Sequence, residues 1–137
     1  MKKVLVADDN AAGRELVRTV LETCGYKITE VADGLEALRA ARDLRPDLII
    51  LDLNMPGMHG FDVIRELRCN AEFAGTPVLA LTASTMQGDR EHAMAAGFTD
   101  YLSKPIAFDE VRAAVARWRP APRDEALEPA DAPVVQR

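Results

Sequence analysis

A chain of 137 residues with 48% apolar composition is long enough for one compact domain with a sizeable core and too short for two of ordinary size. Its formal charge of -5 argues against direct DNA or RNA binding, which calls for a basic face. No apolar run approaches the roughly 20 residues that span a bilayer, so a soluble, cytoplasmic protein is expected.

Met1-Lys2-Lys3-Val4 opens with a basic pair, but the apolar stretch after it breaks at Asp8-Asp9, which excludes a signal peptide. Lys3 to Ala7 reads as the first strand. Asn10 is an N-cap candidate for a first helix that carries Leu16, Val17, Val20, Leu21 and Cys24 at helical spacing and stops at Gly25. Gly13 sits in its first turn. Lys27 to Val31 alternates and is rich in β-branched residues, a second strand, and Asp33-Gly34 gives a turn signal. A second helix runs from Leu35 to Leu44 and ends before Pro46.

Leu48 to Leu51 is an apolar run closed on one side by Pro46-Asp47 and on the other by Asp52 and Pro56-Gly57, the pattern of a strand buried on both faces. Phe61, Ile64 and Leu67 mark a third helix, broken by Ala74-Gly75-Thr76-Pro77. Val78 to Leu81 is a fourth strand ending on Thr82. Ser84 or Thr85 caps a fourth helix that runs to about Ala96, with a thin core face of Ala93, Met94 and Ala96. Tyr101 to Ser103 is a fifth strand stopped by Lys104-Pro105, and Phe108, Val111, Val115 and Trp118 line a fifth helix. Residues 1–118 form the expected domain. From 119 to 137 the composition turns to Pro, Ala, Asp, Glu and Arg, and a disordered tail is expected. Cys24 and Cys69 stand outside any CxxC or Cys/His cluster and read as reduced thiols.

Strand and helix alternate five times, which predicts an α/β fold: a flavodoxin-like (βα)5 sandwich with a parallel sheet in the order 2-1-3-4-5. In that topology Asp8 and Asp9, Asp52, Thr82 and Lys104 end neighbouring strands on one edge. Asp8-Asp9 alone reads as a strand-end turn, Thr82 as a β-branched strand residue and Lys104 as a solvated loop charge, and Asp52 alone is a weak signal. Their convergence is what carries chemistry. Like-charged carboxylates at about 4 Å repel by around 4 kcal/mol per pair at an effective dielectric of about 20. Raised pKa values, a cation, or both must offset this. A magnesium ion suits such an oxygen-only site. With the cation in place Asp52 could act as a nucleophile toward phosphorus, Lys104 supplying a charge and Thr82 a hydroxyl for phosphoryl oxygens.

The stretches Asp8-Asp9-Asn10, Leu51-Asp52-Leu53-Asn54-Met55-Pro56-Gly57, Leu81-Thr82-Ala83 and Tyr101-Leu102-Ser103-Lys104-Pro105-Ile106 stand in this order, and with them the chain resembles the receiver domain of two-component response regulators. Met86-Gln87-Gly88-Asp89-Arg90 with Ala96-Gly97 is similar to receivers that stand alone or are fused to hybrid histidine kinases. The resemblance implies that Asp52 accepts a phosphoryl group from a kinase phosphohistidine. It implies magnesium held by Asp8, Asp9, Asp52 and the Asn54 backbone carbonyl, and a signalling domain rather than a conventional enzyme. Tyr101 would be the switch residue that turns inward as Thr82 moves, and the Lys104-Pro105 bond would be cis. Gly13 stands where a polar residue is more usual and Thr99 where an acid is common, and neither is expected to touch the site.

The expected partners are a sensor histidine kinase or a histidine phosphotransfer protein on the input side. On the output side a downstream protein would dock on the face of the fourth helix, fifth strand and fifth helix, through Met86, Arg90, Tyr101 and Arg112. A phosphorelay intermediate or phosphate sink is the alternative. A haloacid-dehalogenase-type phosphatase, which also forms an aspartyl phosphate, would want an acid two residues after the nucleophile, where this chain has Asn54. A phosphorylation-independent scaffold of the same fold would have no need of the acid cluster, Thr82 and Lys104.

Overall fold

The computed structural model describes residues 2–55, 57–83, 89–104 and 107–118. In chain order these form β1 (Lys3–Ala7), α1 (Ala11–Thr23), β2 (Lys27–Val31), α2 (Gly34–Leu44), β3 (Leu48–Asp52), α3 (Gly60–Cys69), a 3-10 turn (Ala71–Phe73), β4 (Val78–Thr82), α4 (Asp89–Ala96), β5 (Asp100–Ser103) and α5 (Phe108–Arg117). The sheet has the order β2-β1-β3-β4-β5 with every pair parallel, as the alternating sequence pattern predicts. The expected cap at Ser84 or Thr85, the Met86 contact, the Lys104-Pro105 bond and the tail lie outside the described residues.

Because successive strand side chains point to opposite faces, the apolar strands feed two cores. Leu5, Ala7, Ile49, Leu51, Val78 and Ala80 pack on one face against Leu38 and Ala41 of α2 and Val63, Ile64 and Leu67 of α3. Val4, Val6, Leu48, Ile50, Leu79 and Leu81 pack on the other against Val17, Val20 and Leu21 of α1 and Val111, Ala114 and Val115 of α5. All five residues of β3 are buried. Asp52 therefore ends a fully enclosed strand and is itself buried.

Several local readings are corrected. Asp33-Gly34 is a helix start: the Asp33 side chain accepts the Glu36 N–H at 2.8 Å, and Glu36 returns a bond to the Ala32 N–H. Helix α3 stops at Cys69, earlier than expected, because the Asn70 side chain accepts the Glu72 N–H at 2.9 Å and caps the 3-10 turn. Met94 is 40% exposed and Phe108 is 46% exposed, so neither is core. Ala93 and Phe98 fill the space under α4, and α5 turns Val111, Ala114 and Val115 inward while Phe108 opens the helix at the edge of the sheet. In α1 the buried stripe is Val17, Val20 and Leu21, and Cys24 is exposed. The expected stops at Gly25 and Gly97 hold, both at positive φ, 89° and 118°.

Candidate functional site

Backbone bonds extend the parallel ladder just past the strand ends and fix the residues there. Asp8 N–H donates to the Val31 carbonyl at 3.1 Å, Leu53 N–H to Leu81 at 2.9 Å, and Lys104 N–H to Thr82 at 2.7 Å. The β3–α3 loop folds back on the same edge through Gly60 N–H to the Leu53 carbonyl at 2.9 Å. A Cβ at residue 60 would stand 2.6 Å from Leu53 Cα, so only glycine permits this approach.

Asp8, Asp9 and Asp52 come together here. Each offers a carboxylate oxygen, and these oxygens lie within 4.8 Å of one another. Asp8 and Asp52 are buried, at 0% and 3% exposure, and Asp9 is exposed. Both buried acids sit in a turn whose backbone amide two residues on holds one oxygen: Asn10 N–H to Asp8 Oδ1 at 2.9 Å and Asn54 N–H to Asp52 Oδ1 at 3.0 Å. Lys104 Nζ lies 2.8 Å from Asp52 Oδ2 and 3.1 Å from each Asp8 oxygen. Its bond is directed at Oδ1. Asp8 Oδ2, although buried, accepts no hydrogen bond among the described residues.

The electrostatics follow from this crowding. Burial pushes the Asp52 carboxyl above its ordinary value, and the nearby Asp8 adds to it, against the opposing pull of Lys104 and the Asn54 amide. Burial alone would lower Lys104, but its bonds and charge attraction to Asp52 and Asp8 outweigh it, and the ammonium is held above its ordinary value. A buried carboxylate oxygen that accepts no hydrogen bond among the described residues, two further acids and an all-oxygen donor set fit a hard divalent cation.

Thr82 is buried at the end of β4, one position beyond the Asp52–Leu81 pair and opposite Ser103. Tyr101 stands in β5 opposite Ala80 and packs half-buried on the α2–α3 face of the sheet. Neither histidine joins the acids in a hydrogen bond among those described. His59 caps α3, its Nδ1 accepting the Phe61 N–H at 3.1 Å, and His92 is exposed.

Three groups escape the sequence reading. Arg14 donates from Nη1 to the Asp8 carbonyl at 2.7 Å while its Nε meets Glu30 at 3.2 Å, a pairing across separate elements that no local pattern announces. Gly13, expected to stand clear of the site, lies against Asp8. Asp100 is a buried acid at the head of β5. It accepts Arg90 of α4 at 3.1 Å, Arg117 of α5 at 3.0 Å, and the Trp118 indole N–H at 2.7 Å. The sequence reading starts the fifth strand one residue later, at Tyr101, and leaves Asp100 outside it.

Comparison with known proteins places this chain in a family. The response regulator receiver domain model matches residues 4–116. The DNA-binding response regulator MtrA of Mycolicibacterium paratuberculosis is 41% identical over 130 residues, covering 95% of this chain and 55% of MtrA. The chain thus spans little more than half the length of such curated relatives. The chemotaxis response regulator CheY4 of Vibrio cholerae superposes with a TM-score of 0.81 at 37% identity, over 85% of this chain and 98% of CheY4. The receiver domain of the sensor histidine kinase PA1611 from Pseudomonas aeruginosa superposes at 0.78 with 37% identity, over 85% and 96% of the two chains, and that structure has magnesium coordinated in its active site cleft. The acid edge, the strand order and the matched span agree, and the chain belongs to the response regulator receiver domains of two-component signalling systems.

Proposed function

We propose that Asp52 accepts a phosphoryl group from the phosphohistidine of a sensor histidine kinase or a histidine phosphotransfer protein. The observation that carries this reading is the contact of a buried carboxylate, Asp52, with the Lys104 ammonium beside two further acids on one sheet edge. In the transfer the phosphorus–nitrogen bond breaks, a bond forms from phosphorus to an Asp52 oxygen, and the imidazole keeps the electron pair and takes a proton. Asp8, Asp9, Asp52 and the Asn54 backbone carbonyl would hold magnesium, which when bound neutralises charge on the phosphoryl oxygens.

The rest is done by the chain's own groups. The Asn54 amide holds Asp52 Oδ1 and so orients the nucleophile. Lys104 exchanges its carboxylate partners for a phosphoryl oxygen, and the Thr82 hydroxyl donates to another. Phosphorylation adds about -1.5 to -2 charges. That charge draws on Thr82 and Lys104, and Tyr101, one strand position from Leu81 and packed on the α2–α3 side, turns with them. The output is altered binding of a protein on the α4–β5–α5 face, where Arg90 and Arg112 are exposed.

MtrA is named as DNA-binding, but this chain covers about half of it. With its net charge of -5, we assign this chain a protein partner rather than direct contact with DNA. Among the described residues no helix is long and apolar enough to cross a membrane. The cytoplasm, where kinases offer phosphohistidine, is its assigned setting. Incubation with a small phosphodonor and magnesium, followed by peptide mass spectrometry, tests the assignment: the label belongs on Asp52.

A further inference from the structure

Asp9 is the exposed acid of the trio, and its side chain accepts no hydrogen bond among the described residues. Its backbone alone places it. The peptide that joins Asp8 to Asp9 carries the Asp8 carbonyl, which accepts from Arg14 Nη1 at 2.7 Å and from no backbone N–H among the described residues. A charged donor at this distance makes one of the stronger kinds of hydrogen bond. Arg14 is itself anchored: its Nε meets Glu30 Oε1 at 3.2 Å, and Arg18 holds the other Glu30 oxygen at 2.7 Å. Glu30 precedes Val31, whose carbonyl takes the Asp8 N–H at 3.1 Å. β2 thus grips the Asp8 main chain twice, at the amide directly and at the carbonyl through Arg14. The charge of Arg14 works the other way. A guanidinium beside a cation site repels the cation, so by charge alone the chain would bind magnesium better without it.

We propose that Arg14 is a positioning residue for cation binding: it fixes the peptide between Asp8 and Asp9 and so holds the two carboxylates at the spacing a divalent ion needs. The inference rests on the magnesium reading of the acid edge. Without the Arg14 bond that peptide is free to turn, and Asp9, with no side-chain partner of its own, turns with it.

Isothermal titration with magnesium chloride, run beside thermal unfolding, tests this on the wild type, Arg14→Gln, Arg14→Met and Arg18→Met. Glutamine, methionine and arginine have similar helix propensity. The glutamine amide nitrogen stands where Arg14 Nε stands, so it keeps the Glu30 contact and stops short of the Asp8 carbonyl. Arg14→Met loses both. Arg18→Met takes the same charge from the same helix and the same Glu30 without touching Asp8. Both Arg14 variants are expected to fold and to bind magnesium at least about tenfold more weakly, the low end of what lost support costs a metal ligand. Arg18→Met is expected to bind at least as tightly as wild type. Unchanged or tighter binding in Arg14→Gln would overturn the inference while sparing the magnesium reading, because only the charge of Arg14 would then count. Weakening in Arg18→Met equal to that of the Arg14 variants would also overturn it, since affinity would follow the Glu30 cluster. If Arg14→Met does not fold, Arg14→Gln decides, and failure of both to fold would overturn the inference, because the peptide and not the fold is held to yield. A wild type that takes up no magnesium would bring down the cation reading itself, and this inference with it.

Discussion

Lys104 Nζ sits 2.8 Å from Asp52 Oδ2 and reaches Asp8 at 3.1 Å, so one ammonium bridges the two buried acids of the site. Lysine thus offsets the carboxylate repulsion that the sequence assigns to a metal. Removing it leaves two buried carboxylates short of a counter-charge. Lys104→Ala is expected to lower stability by about 1–3 kcal/mol in urea titrations without magnesium. Adding magnesium should recover much of that, because a ligand of the native state stabilises it by mass action. An equal loss with and without magnesium would separate Lys104 from the cation site.

Asp52 and Asp100 give opposite pH signatures. Burial raises the native Asp52 carboxyl, so the native state holds its proton where the unfolded chain has released it. Stability from this group is present below the unfolded value of 3.8 and is lost as pH rises through the raised native value. Asp52→Asn should therefore stabilise the protein at neutral pH, with the gain vanishing in acid. Burial would raise Asp100 too, but Trp118, the Tyr101 amide, Arg90 and Arg117 overcome it and hold it below its ordinary value. Its stability is present above 3.8 and lost as pH falls through the depressed native value. Asp100→Asn should cost about 1–3 kcal/mol at neutral pH and progressively less in acid. Urea midpoints of the variants between neutral pH and about pH 3 check both signs.

Asp9 is the exposed member of the acid trio, so its removal disturbs the core least. Asp9→Ala is expected to fold normally and bind magnesium at least about tenfold more weakly by calorimetry. An unchanged titration would remove Asp9 from the ligand set.

The sheet and the acid edge were legible in the sequence because both follow from local rules. Apolar runs such as Leu48 to Leu51 end on polar residues, and strand alternation with intervening helices fixes which ends are neighbours. Arg14 meeting Glu30 and the Asp8 carbonyl was hidden, since that contact joins elements whose approach is set only by packing. Asp100 was hidden for a similar reason: its partners come from α4, α5 and the residue after α5. Gly13 read only as a helix penalty, because its closeness to the Asp8 carboxylate joins a strand end to a helix start. Spacing alone puts Met94 on the core face of α4 and Phe108 on the apolar stripe of α5, but the thin α4 and the first turn of α5 leave both exposed.

Thr82 is buried at the end of β4 and is assigned to sense the phosphoryl group rather than to accept it. Thr82→Ala is expected to take up phosphate on Asp52 and to lose most of the change that phosphorylation causes in Trp118 emission. That indole is tied through Asp100 to the start of β5, next to Tyr101. A full emission change in Thr82→Ala would take Thr82 out of the switch.

The most direct measurement compares wild type and Asp52→Asn incubated with a small phosphodonor and magnesium, reading intact mass and the labelled peptide. The account predicts one phosphoryl group on wild type, placed on Asp52, and none on the variant. A label on another residue, or equal labelling of Asp52→Asn, would contradict it.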